Sequence, residues 1–291
     1  MPNKELKKIA IITKKNIADK ADYLIELNNY LEKKGKKVLL CNKCAPIIKK
    51  NGEGLSKEII LKQADMALVL GGDGTLLKTA RCVGYKKVPI LGVNMGTLGF
   101  LTEVIPKDIY STLERIWKGK YVLDTRTLLR VTVYRGDRKI YTSLALNDAV
   151  INQGSFARLI NLRIEINQRK VNDFHADGLI ISTPTGSTGH ALSAGGPIVN
   201  PALPGIIVTP ICPAALSNRP IVIPNDRQIK VILGTDRADV GLTLDGQESL
   251  SLEYKDEIKI RRSTRKFHLI RKTGENYYKM LRDKLHWGGG R

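Results

Sequence analysis

Residues 66–77 read Met66-Ala67-Leu68-Val69-Leu70-Gly71-Gly72-Asp73-Gly74-Thr75-Leu76-Leu77, an apolar run that stops in a glycine-rich turn with one carboxylate at its centre. The run is short enough for a buried parallel strand, and the threonine-led stretch after it suits a helix, read here from about Leu76 to Val83. Glycines at the carboxyl end of a strand permit positive φ and close approach. Backbone N–H groups there and at the helix start can then face phosphate oxygens. A carboxylate among phosphates is unfavourable unless it has a task, such as accepting a hydroxyl proton or helping to hold Mg²⁺. On this segment alone the pattern suits a phosphoryl-transfer site, or else a tight turn whose aspartate caps the helix through Thr75.

Outward from this turn, residues 8–13 read as a strand, 18–34 as an amphipathic helix closed by Gly35, 37–41 and 89–93 as further strands, and Pro106 starts a helix to about Lys118. Alternating strands and helices imply a parallel sheet covered on both faces. Ligands of such sheets bind beyond the carboxyl ends of the strands, where Asp73 and the turn at 92–96 fall. From Tyr121 the texture changes to short alternating segments at 128–134, 139 onward, 162–166, 221–223, 229–233 and 257–261, with a turn at 135–138. The expected architecture is an α/β domain over 1–122 with a parallel sheet, completed by a C-terminal helix within 272–291. A β-rich, sandwich-like domain follows over 123–271. Residues 288–291 read as a frayed tail.

The composition narrows the function classes. A chain of 291 residues with 42% hydrophobic residues is globular and long enough for two domains. No apolar stretch approaches the roughly 18 residues that cross a bilayer, and the apolar segment 9–12, flanked by lysines, is too short for a signal peptide. No membrane partner and a cytoplasmic location follow as expectations. The four cysteines suit a reducing compartment. Cys41 and Cys44 form a Cys-x-x-Cys pair with no second ligand pair, and they read as ordinary thiols. A net charge of +20 invites a nucleic-acid partner, but the cations are spread along the whole chain and only 5% of residues are aromatic. A cationic surface attracting anionic nucleotides accounts for the charge equally well.

The second informative stretch is His175-Ala176-Asp177-Gly178-Leu179-Ile180-Ile181-Ser182-Thr183-Pro184-Thr185-Gly186-Ser187-Thr188-Gly189-His190-Ala191-Leu192-Ser193. A strand enters a polar turn and then a short helix. The hydroxyls at 182, 183, 185, 187 and 188 either donate to a nucleotide or cap the following helix. Together with residues 71–75, this stretch resembles the NAD kinase family. The resemblance runs through most of the chain: GGDGTLL at 71–77, GVNMGTLGFL at 92–101, the Asn147-Asp148 pair, ADGLIISTPTGSTG at 176–189, SAGGPIV at 193–199, SNRPIVI at 217–223 and LDGQ at 244–247. The glycine turn is shared with diacylglycerol and sphingosine kinases and, in variant form, with phosphofructokinases. The second stretch decides between them.

The resemblance implies ATP-dependent phosphorylation of the 2′-hydroxyl on the adenosine ribose of NAD, giving NADP, with Mg²⁺ or another divalent cation. The donor is ATP or inorganic polyphosphate. It implies Asp73 as the base that accepts the hydroxyl proton, with Gly72, Gly74, Thr75 and Phe100 around the nucleotides; Lys78, one turn beyond Gly74, either reaches the phosphates or is a solvated helix lysine. A carboxylate is a modest base for an alcohol, but the loose transition state of phosphoryl transfer lets positioning and charge neutralisation carry much of the rate. Asn147 and Asp148 match an Asn-acid pair that binds adenine and a ribose. An amide offers the donor and acceptor an adenine edge needs, and a carboxylate takes ribose hydroxyls; the plain alternative is a strand-end turn. Asp177 matches an acid near the nicotinamide end, with His175 lining the same pocket. Thr188, Gly189, His190, Ala191, Leu192 and Ser193 match the segment around adenine. Arg158 and Gln247 match weaker contact positions or else have plain surface roles, and no residue is assigned as a metal ligand. Members are homo-oligomers, so a dimer or tetramer is implied, with the site in the cleft between the domains.

The chain departs from the family pattern in three places. Gly189-His190 stands where Ala-Tyr is common, replacing a phenol that stacks on adenine with an imidazole that also stacks. The acid after Asn147 is one methylene shorter than the usual Glu. Pro213-Ala214-Ala215 stands where the family often carries a histidine. No P-loop, nucleophile elbow or His-Glu-x-x-His pair competes. A lipid kinase is the alternative enzyme, but residues 182–193 offer no apolar slot for a long-chain alcohol. A nucleic-acid-binding protein is the non-catalytic alternative, marked by steeply salt-dependent binding.

Overall fold

The computed structural model describes residues 6–14, 17–48, 52, 54–96, 99–154, 159–236, 239–274 and 276–287. The chain divides into two compact units, one of residues 1–125 with 267–291 and one of residues 126–266. In the first, β1 (Lys8–Thr13), α1 (Ala21–Lys33), β2 (Lys37–Leu40), α2 (Lys57–Gln63), β3 (Met66–Gly71), α3 (Asp73–Arg81), β4 (Pro89–Asn94) and α4 (Ile109–Trp117) alternate. The strands lie in the order β2-β1-β3-β4, each neighbouring pair parallel. Every residue of β3 is buried, as a central parallel strand requires. The glycine turn therefore leaves the sheet at a carboxyl strand end.

Helix α1 buries Leu24, Leu27 and Leu31 on one face. It stops where Gly35, at φ +69°, donates to Glu32 O and Lys36 donates to Leu31 O, a glycine-terminated C-cap. The helix begins three residues later than the periodicity suggests, because residues 18–20 form a 3₁₀ turn. Helix α2 is absent from the sequence reading. Its start is marked by Ser56, whose side chain accepts from Ile59 N at 3.4 Å, and it buries Ile60 and Leu61. Cys41 and Cys44 are free and buried, with their sulfurs 2.8 Å apart. Their shared hydrogen bond holds the Cys41 thiol below its ordinary value, and the same bond, followed by burial, pushes Cys44 up.

The remaining elements are β5 (Val122–Arg135), β6 (Arg138–Ala145), β7 (Asp148–Gln153), β8 (Ile160–Ile166), β9 (Arg169–Ala176), β10 (Gly178–Ser182), α5 (His190–Ser193), β11 (Gly205–Ile211), β12 (Ile221–Pro224), β13 (Ile229–Leu233), β14 (Val240–Leu244), β15 (Glu248–Leu252), β16 (Glu257–Arg271) and α6 (Tyr277–Leu285). His268 and Leu269 of β16 extend the sheet of the first unit, parallel to Pro89 and Ile90 of β4. The second unit carries an antiparallel sheet in the order β12-β11-β10-β7-β14-β15 and an antiparallel run of β16-β13-β8-β9. Alternate residues of both, such as Ala149, Ile151, Leu242 and Leu244 against Leu162, Ile164, Val231 and Ile258, share one core. The β-rich domain is thus a sandwich. The period of two that turns Ala149 and Ile151 inward turns Asp148, Val150 and Asn152 to the opposite face. There Val150 and Ile180 pack with Ala191 of α5. No described helix is long and apolar enough to cross a membrane.

Candidate active site

In the first unit the helix starts earlier than expected, and this corrects the picture of a free glycine loop. Gly72 occupies the N-cap, and Asp73 and Gly74 already belong to α3. Asp73 does not cap this helix. Its Oδ2 accepts from Phe100 N at 2.7 Å. Its Oδ1 accepts from Leu101 N at 3.1 Å, Thr102 N at 3.2 Å and Thr102 Oγ1 at 3.4 Å. The close approach depends on Gly99, where an added Cβ would lie 2.1–2.4 Å from the three atoms of the Asp73 carboxylate. The 99–104 segment is itself held: Asn94 N donates to Val104 O at 2.7 Å, and Arg271 NH2 donates to Phe100 O at 3.2 Å. Arg271 is buried and also pairs with Glu103 and, through Nε at 3.3 Å, with Asp124. Arg271→Ala is expected to remove a buried guanidinium that pairs with two part-buried carboxylates and to cost about 3 kcal/mol. A urea titration measures this, and an unchanged midpoint would contradict the role.

In the second unit, the bend at 146–147 that leads into β7 is pinned from both sides. On one side its carbonyls are taken by the hydroxyl-rich run. Thr183 Oγ1 donates to Leu146 O at 2.6 Å, and Ser182 Oγ and Thr183 N donate to Asn147 O at 3.1 and 2.8 Å. On the other side its amides converge on Asp245. Leu146 N donates to Oδ2 at 3.1 Å, and Asn147 N and Asp148 N donate to Oδ1 at 2.7 and 3.2 Å. An open cavity of about 380 Å³ is lined by Asn147, Asp148, Val150, Asn152, His190, Thr243, Asp245 and Gly246, a size suited to part of a nucleotide. Burial, and then the charge of Asp245, push the Asp148 carboxyl up to about 7.

The two halves match the two domains of one enzyme family. Residues 4–121 match the ATP-NAD kinase N-terminal domain and residues 146–272 the ATP-NAD kinase C-terminal domain. The chain belongs to the NAD kinase family. The NAD kinase of Geotalea daltonii is 50% identical over 232 residues, covering 80% of this chain and 82% of that one. That of Syntrophotalea carbinolica is 40% identical over 283 residues, covering 97% and 99%. Among solved structures, yeast NADH kinase complexed with NADH superposes with a TM-score of 0.91 at 26% identity, covering 99% of this chain and 90% of that one. An NAD kinase from Archaeoglobus fulgidus in complex with ATP gives 0.73 at 27% identity, covering 96% and 98%.

Of the residues expected to serve this NAD kinase, Asn147, Asp148 and His190 meet in the cavity. Gly189 lies beside Asn147, where a Cβ would be 3.8 Å from the amide nitrogen. Ala191 is buried against Val150 and Ile180, while Leu192 and Thr188 are half-buried and Ser193 is exposed. His175 stands exposed on β9, its carbonyl accepting from Ala214 N, and Asp177 forms the bend before β10; neither lines this cavity. Thr75 is buried in α3, Lys78 and Gly74 are exposed on it, and Phe100 is half-buried. Arg158 and the 288–291 tail lie outside the described residues. Gln247 closes a tight turn, donating to Leu244 O; the neighbours Asp245 and Gly246 line the cavity in its place. Val150, Asn152, Thr243 and Asp245 line the cavity beyond the expected residues. Ser182, Thr183 and Ser187, read as donors to a nucleotide or caps, spend their hydroxyls on backbone carbonyls.

Proposed function

We propose that this kinase transfers the γ-phosphoryl group of ATP to the 2′-hydroxyl of the adenosine ribose of NAD, with Asp73 accepting the hydroxyl proton. The observation that carries the reading is the doubly pinned 146–148 bend, which presents an amide and a carboxylate to one cavity. Asn147 then reads the adenine edge and Asp148 takes ribose hydroxyls. His190 offers an aromatic face to the base. Because an ionised carboxylate is the better acceptor for two hydroxyls, NAD binding strengthens as pH rises through about 7, where Asp148 ionises.

Within Asp73 the two oxygens are not equivalent. Among the described residues, Oδ1 takes three donors, whereas Oδ2 takes Phe100 N–H alone. A carboxylate oxygen has two lone-pair sites, so the hydroxyl proton passes to Oδ2. The N-terminus of α3 at Gly72–Gly74 supplies backbone amides and a favourable dipole for phosphate. Among the described residues no three His, Cys, Asp or Glu side chains form a cation cluster. A divalent ion is therefore read as arriving on the phosphates of ATP. The ATP complex of the Archaeoglobus fulgidus relative supports ATP as donor. The two compact units support the division into domains 1–122 with 272–291 and 123–271.

The test is a discontinuous assay of the purified protein with NAD, ATP and Mg²⁺, in which product is counted by an NADP-specific dehydrogenase. Equal amounts of NADP and ADP are expected. Product with polyphosphate but none with ATP would overturn the donor, and none with either would overturn the reaction.

A further inference from the structure

Three residues join β14 to β15, in a turn centred on Asp245 at φ +52° and Gly246 at φ +63° and closed by Gln247 N donating to Leu244 O at 2.9 Å. This is the Asp-Gly hairpin in which both central residues adopt the left-handed conformation. The turn has more to do than join strands. It carries a buried carboxylate to the end of β7, where three consecutive backbone amides point at it, and Asp245 N returns a bond to Asp148 O at 3.0 Å.

We propose that Asp245 is a positioning residue for the acceptor site, its carboxylate gathering the amides of Leu146, Asn147 and Asp148 and so fixing how Asn147 and Asp148 meet the nucleoside. The inference rests on the reading of Asn147 and Asp148 as nucleoside-binding groups. Without Asp245, three amides lose their acceptor at a buried bend, and the hydroxyls of Ser182 and Thr183 hold only its carbonyl side. A displacement on the order of 1 Å is enough to forfeit much of an oriented interaction. Asp245 also sets the charge state of its neighbour. Among the described residues, the charged and titratable groups facing Asp148 are Asp245 from the β14–β15 turn and His190 from α5, while β14 offers the neutral Thr243 and β10 the neutral Ser182. After burial, Asp245 is the second cause that keeps the Asp148 carboxyl up at about 7.

The test compares Asp245→Asn and Asp245→Ala with the wild type by steady-state kinetics and melting temperature. Asp245→Ala is expected to raise KM for NAD roughly 10- to 100-fold, with KM for ATP unchanged. Asp245→Asn, which keeps one acceptor oxygen, recovers part of that loss. The pH profile of kcat/KM for NAD adds a readout that a merely structural role would not move. In the wild type it rises through about pH 7, and in Asp245→Asn the rise moves to lower pH because a negative neighbour is gone. The profile is repeated with His190→Gln, so that a rise that persists belongs to Asp148. Unchanged KM for NAD in Asp245→Ala, or losses shared equally between NAD and ATP with the pH rise unmoved, would overturn the proposal. Asp148→Asn separates this from the underlying reading. If that variant binds NAD normally, the nucleoside assignment fails. If it weakens NAD while the Asp245 variants do not, only the positioning role fails.

Discussion

Asp73→Asn is expected to lose turnover by roughly 10²- to 10⁴-fold while its KM for NAD stays near the wild-type value. The substitution removes the oxygen proposed to take the proton. An amide can keep its oxygen toward Leu101 and Thr102, but its NH₂ then replaces Oδ2 and faces Phe100 N–H, donor against donor. The variant thus loses both chemistry and one anchor of the 99–102 segment. The structural share is about 1–2 kcal/mol of stability, the cost of one broken charge-assisted bond, and a melting curve measures it. The kinetic share is read from single-turnover rates at saturating NAD. NAD affinity is expected to be preserved because Asn147, Asp148 and His190, the proposed nucleoside groups, line their own cavity in the second unit. Turnover within threefold of the wild type would remove the base assignment.

Gly99→Ala is expected to lower kcat by roughly 100-fold although the substitution adds only one methyl group. That methyl would lie 2.1–2.4 Å from the Asp73 carboxylate atoms, too close for any non-bonded pair. Either the carboxylate turns away or residues 99–102 withdraw, and in both cases its bonds to Phe100, Leu101 and Thr102 are lost. The overpacking costs about 1–3 kcal/mol. Kinetics and melting of the same preparation separate the two effects, since a merely destabilised protein recovers full kcat at low temperature. A variant with wild-type kcat would show that Asp73 does not need this setting.

The sequence carries the architecture well where burial is uniform. The run 66–70 is apolar throughout because β3 is buried between two parallel neighbours, and the Gly35 stop of α1 is a local backbone requirement. Strand β9 is hidden because it lies at a sheet edge, where five of its eight residues are exposed and the alternation is lost. Strand β16 is read only over 257–261 because residues 261–266 are all polar, although the strand continues to Arg271.

The site is legible as a set of residue types and not as a geometry. Nothing in the glycine turn says that Asp73 receives its donors from residues 27–29 positions away. The hydroxyls of 182–187 are visible, but whether they face a nucleotide or their own backbone is decided by the bend at 146–147, distant in sequence. Asp245 was within reach: Leu-Asp-Gly-Gln between alternating segments is a two-residue hairpin signal. What the signal lacked was the partner strand end on which the carboxylate closes.

The site of phosphorylation is read from a two-dimensional phosphorus–proton correlation spectrum of the dinucleotide formed from NAD and ATP. A new phosphate monoester coupled to H2′ of the adenosine ribose is expected. Coupling to H3′ or to a proton of the nicotinamide ribose, or ADP release with NAD unmodified, would contradict it.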